Sequence, residues 1–89
     1  MRLLSKTKRA ALISQLSEIA DAWEAEGQQA FPHDEHMKSV YHKDAEALRE
    51  IQRFIATEQD TQAAAKAERL DTILREQLPP ALWDYLTDL

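Results

Sequence analysis

The residues best equipped for chemistry are three histidines and the carboxylates around them. His33, Asp34, Glu35 and His36 stand together, and His42 lies four residues before Glu46. Imidazole and carboxylate groups bind zinc and related divalent ions and carry protons in acid–base catalysis. The spacing works against both uses. His36 and His42 are six residues apart, about 600° of helical rotation, so they leave a helix in divergent directions. Neither a His-Glu-x-x-His motif nor the Glu-x-x-His pair of di-iron bundles occurs. The chain has no cysteine, which excludes disulfides, thiolate zinc sites and thiol catalysis. No serine or threonine has a paired base at motif spacing. A single glycine leaves no room for a phosphate-cradling loop. The histidines therefore read as polar residues around a helix start. The expectation is a protein that is not an enzyme and uses no metal or cofactor.

Charge offers a second signal. The net charge is −5, but it is unevenly spread. Residues 1–13 hold Arg2, Lys6, Lys8 and Arg9 and no acid, whereas residues 14–31 hold Glu18, Asp21, Glu24 and Glu26 and no base. If this stretch is one helix, its bases lie at the positive end of the dipole and its acids at the negative end. Each such placement costs about 0.3–1 kcal/mol at a surface. Two copies packed antiparallel about a two-fold axis would set Lys6, Lys8 and Arg9 against Glu24 and Glu26 of the partner. The alternative use of the basic end is to hold nucleic-acid phosphate, though no aromatic residue is interleaved with the bases. A third reading has the acidic helical surfaces imitate nucleic acid and inhibit a basic protein groove.

The elements that must position these groups are helical. Leu12, Leu16, Ile19 and Trp23 are spaced four, three and four apart, one stripe of a helix over about 5–26. Ser5 is a suitable N-cap, and Gly27 stands where a left-handed terminator is expected. Pro32 disfavours helical geometry at Phe31. A second helix over about 34–56 starts at Asp34 and carries Met37, Tyr41, Ala45, Leu48, Ile51 and Ile55. Residues 60–78 repeat the rhythm with Ala63, Ala67, Leu70, Leu74 and Leu78, Ile73 alongside, and an Asp71–Arg75 pair in the favourable orientation. Thr57 with Asp60 resembles a capping box and favours a turn rather than one helix over 34–78. Pro79-Pro80 ends the third helix, and about 81–88 forms a short fourth. Strand signals are absent.

These segments predict an all-α fold, 1–89 as a single helical domain, with three amphipathic helices in a small antiparallel bundle plus a short C-terminal helix. The expected core is Leu12, Leu16, Ile19, Trp23, Met37, Tyr41, Leu48, Ile51, Ile55, Leu70, Ile73, Leu74 and Leu78, with Leu82, Trp83 and Leu86 closing one end. Leu82, Trp83 and Leu86 have a second possible use as anchors in a partner's groove, should the core leave them free. No apolar run approaches a membrane span, so no membrane partner is expected. The acid-free, basic N-terminus overlaps in composition with mitochondrial transit peptides, but cytoplasmic residence is the expectation. The leading functional reading is a regulatory module that works through protein–protein contact and self-associates as a homodimer.

Overall fold

Local capping sets where the helices begin. In the computed structural model, which describes residues 4–87, α1 (Lys6–Ala30) starts beneath Ser5, whose Oγ accepts the Lys8 amide at 3.2 Å. Asp34 does the same for α2 (Glu35–Ala56), accepting the Met37 amide at 3.1 Å. Each cap satisfies an amide that the helix cannot. Both agree with the sequence reading. The fold is all-α, with α1, α2 and α3 (Asp60–Glu68) packed together, followed by the single turn α4 (Thr72–Arg75) and the short α5 (Pro80–Leu86).

The end of α1 departs from expectation. Gly27 does not terminate the helix; it is buried inside α1, which continues to Ala30. No glycine has positive φ. What residue 27 must supply is space, since a Cβ there would overlap Cβ and Cγ of Tyr41 on α2. The helix stops three residues later because Pro32 pushes Phe31 out of helical geometry.

The turn after α2 is present, but not through a capping box. Gln59 donates to the Phe54 carbonyl at 2.8 Å and Glu58 to that of Ile55 at 3.2 Å, a Schellman pattern that satisfies the helix's last carbonyls. Glu58 holds the left-handed position, φ 59°. The Thr57 hydroxyl looks back and donates to the Arg53 carbonyl while accepting from Gln59 Nε2, leaving Gln59 as an N-cap whose side chain accepts from no helix amide.

The third predicted helix is broken. Asp71 does not pair with Arg75. It caps α4 instead, accepting the Leu74 amide at 2.9 Å. The bend keeps Ala63, Ala67, Leu74 and Leu78 buried while turning Ile73 outward, 66% exposed. Ile73 is therefore not a core residue. Pro80 opens α5 at its first turn, and the segment folds back onto the bundle with Leu82, Tyr85 and Leu86 buried.

The core is made of Leu12, Leu16, Ala20, Ala45, Leu48, Ile51 and Ile55 on the α1–α2 hairpin, closed by the buried side chains of α3, α4 and α5. Alanines supply a substantial part of it, which brings the helix backbones close. No helix among the described residues is long and apolar enough to cross a membrane.

A candidate interaction surface

The residues singled out by charge separate into two groups. Arg9 is drawn inward: its side chain is 12% exposed and donates to Asp60 at 2.8 and 3.1 Å and to the Ile55 carbonyl at 2.7 Å. Tyr85 of α5 donates to the same carboxylate. Arg9 holds the Asp60 carboxyl below its usual range through this hydrogen bond, against the opposing effect of burial. Burial first, and then the neighbouring carboxylate, push the Tyr85 phenol up. Glu24 is also engaged within the chain, contacting His42 Nδ1 at 2.9 Å and Arg49 Nη1 at 3.3 Å. Hydrogen bonds from His42 and then Arg49 lower its pKa. Asp21 and Glu46 complete this network around Arg49.

Lys6, Lys8 and Glu26 stay on the surface. The C-terminal anchors divide likewise. Leu82 and Leu86 are buried in the chain's own core. Trp83 is half-buried, with its indole N–H on the Arg75 carbonyl at 3.3 Å and the Arg75 guanidinium 5.3 Å from its ring centroid. Among the described residues, no three His, Cys, Asp or Glu side chains come together to hold a metal ion. His33 and His36 lie exposed at the start of α2.

The distribution of burial along the hairpin reveals a feature that charge did not. α1 and α2 are about 37 and 33 Å long, whereas α3 is about 13 Å. The third layer is joined to the hairpin by the Arg9–Asp60 contact and by the Lys66–Glu50 ion pair, and reaches Asp44 and Ala47, where Leu70, Asp71 and Leu74 face them. Past that level, only Gly27 is buried between residues 21 and 44. The apolar side chains there are only partly buried: Trp23 and, one turn back, Ile19 on α1, both still packed against the core, with Met37, Val40 and Tyr41 on α2.

These side chains form an ordered floor. The Trp23 and Tyr41 rings stack at 5.1 Å between centroids, and Phe31 packs against Tyr41 at 5.7 Å. The Trp23 indole donates to Asp44 at 3.4 Å, which fixes the ring on the side of the hairpin that α4 covers farther along. Desolvation raises the Asp44 pKa, partly offset by the Trp23 bond and reinforced by nearby Asp71. The sequence stripe assigned Ile19, Trp23, Met37 and Tyr41 to the core. Ile19 and Trp23 do pack against the core, but the break at Asp71, unmarked by glycine or proline, shortens the covering layer and leaves all four only partly buried.

On the covered half, a groove of about 370 Å³ runs between α1 and α5. Leu4, Lys8, Ala11 and Gln15 form one wall, with Ala81, Asp84 and Tyr85 on the other. Lys8, Gln15, Ile19 and Glu26 lie within about 40° of one another around α1, so groove and open floor border the same stripe. No family model, no curated protein and no solved structure matches this chain.

Proposed function

We propose that the protein is a non-enzymatic interaction module that binds another protein surface through the open half of the α1–α2 hairpin. One observation carries this reading: Ile19, Trp23, Met37, Val40 and Tyr41 are only partly buried where the third layer ends. A small domain gains stability from every apolar side chain that it covers, so an aromatic floor left open favours a partner that completes it. A helix laid between α1 and α2 would continue the packing that α3 and α4 provide farther along. Regulation by such contact needs no catalytic group.

Site-specific photo-crosslinking in the cells that express the protein tests the reading. A benzophenone side chain at Ala22 or Val40 is expected to give protein adducts, whereas one at Ser14, on the side of α1 opposite Trp23, gives none. Absence of adducts from Ala22 and Val40, or equal adducts from Ser14, would overturn it.

A further inference from the structure

We infer that the partner is a second copy of this chain, with α1 lying antiparallel to its counterpart and Lys8 of each protomer facing Glu26 of the other. This inference rests on the interaction-module reading and names its partner. The argument begins with spacing. Lys8, Gln15, Ile19 and Glu26 are seven, four and seven residues apart, a series that reads the same from either end about Ser17. All four lie on the stripe of α1 that borders both the α5 groove and the open aromatic floor. A two-fold axis at the level of Ser17, on the side of α1 opposite that side chain, therefore places Gln15 against Ile19 of the other copy, and each lysine against a glutamate, without any adjustment of register.

Charge favours the same arrangement. Arg9 and Glu24 are held within the chain, so the polarity that remains exposed on α1 is Lys6 and Lys8 at one end and Glu26 toward the other. Parallel pairing would oppose like charges at both ends. Antiparallel pairing opposes unlike charges at both, and each helix terminus also meets the opposite dipole end of its neighbour. Asp84 on the far wall of the groove works against an incoming glutamate, so the attraction at each end is partial.

Size sets the strength. Lys8 and Glu26 are about 27 Å apart along the helix. A contact of that length covers roughly 500 Å² per protomer, below the ~800 Å² of a standard interface. An interface of that size belongs to the weak, transient class.

Sedimentation equilibrium between about 5 μM and 1 mM tests this, using Lys8→Glu, Glu26→Lys and the double swap. These positions are exposed, so the variants keep the fold, which circular dichroism checks. Each single reversal is expected to weaken association at least about ten-fold, because symmetry turns two attractions into two repulsions. The double swap restores it to within about three-fold, and Asp84→Asn tightens it. A monomer at every concentration overturns the inference. So does a dimer indifferent to the single reversals, or one that the double swap fails to restore. Crosslinks to a different protein from Ala22 and Val40, with a monomer in the centrifuge, would leave the module reading intact and remove the second copy.

Discussion

Arg9 grips Asp60 with both guanidinium nitrogens, Nη1 at 2.8 Å and Nη2 at 3.1 Å, across 51 residues of sequence. The same Nη1 reaches the Ile55 carbonyl, and Tyr85 closes on the carboxylate from α5. One side chain thus joins the first turns of α1 to the end of α2, the start of α3 and the last helix.

Removing that grip should loosen the covered half of the molecule. Arg9→Met leaves Asp60 with Tyr85 alone, in a site where the Arg9 and Asp60 side chains are 12% and 11% exposed. The expected loss is about 2–3 kcal/mol by urea denaturation, discounted from the cost of breaking a fully buried pair. The pH dependence has a definite sign. Asp60 has a lowered pKa when folded, so its contribution is complete above the ordinary carboxylate range near ~4. It disappears as pH falls through the lowered value. Arg9→Met should flatten that part of the acid limb; an unchanged slope would show that Arg9 does not set the Asp60 titration.

Asp44 should behave in the opposite way. Its pKa is raised, chiefly by burial, so the folded state disfavours its charge and the protein is penalised above the raised value. Asp44→Asn keeps an acceptor for the Trp23 indole and removes the charge. It is expected to stabilise the protein by about 0.5–1 kcal/mol at pH 7, with the gain shrinking as acid protonates Asp44 in the parent. Thermal melts at pH 7 and pH 3 measure the difference.

Gly27→Ala separates helix propensity from packing. In an isolated helix the substitution gains about 1 kcal/mol. Here the new Cβ meets Tyr41 Cβ and Cγ, beside a ring already stacked on Trp23. A net loss of about 1–2 kcal/mol is expected from this overpacking. A rise in Tm would mean that α1 and α2 can separate at no cost.

Glu58→Gly should act in the other direction. Glu58 sits at φ 59° in the turn after α2, a conformation that side chains with a Cβ adopt at a cost of about 1 kcal/mol and glycine adopts freely. A gain of about 0.5–1 kcal/mol in chemical denaturation is expected, without change in the helical circular-dichroism signal.

Adjacent residues on α4 provide a last contrast. Leu74 is 1% exposed and Ile73 is 66% exposed. Truncating Leu74 to alanine should cost about 2–4 kcal/mol, and truncating Ile73 less than about 0.5. Equal losses would return Ile73 to the core, where its place beside the stripe had put it.

What the chain determines locally is what its residues reveal without coordinates. Ser5, Asp34 and Pro80 mark helix starts because a cap or a proline acts on amides within three residues of itself. The four-and-three spacing of apolar residues requires helices, since only that geometry gathers them on one side. Other features depend on which distant surfaces meet. Gly27 reads as a terminator until Tyr41 arrives to occupy the space beside it. Asp71 reads as half of an ion pair until the packing of Leu70 and Leu74 on α2 bends the chain there. Arg9 and Glu24 read as exposed charges until Asp60, His42 and Arg49 come into range, 18 to 51 residues away. The open aromatic floor belongs to the same class. Periodicity marks the side of a helix that seeks cover, but the length of the neighbour laid against it decides how much of that side is covered.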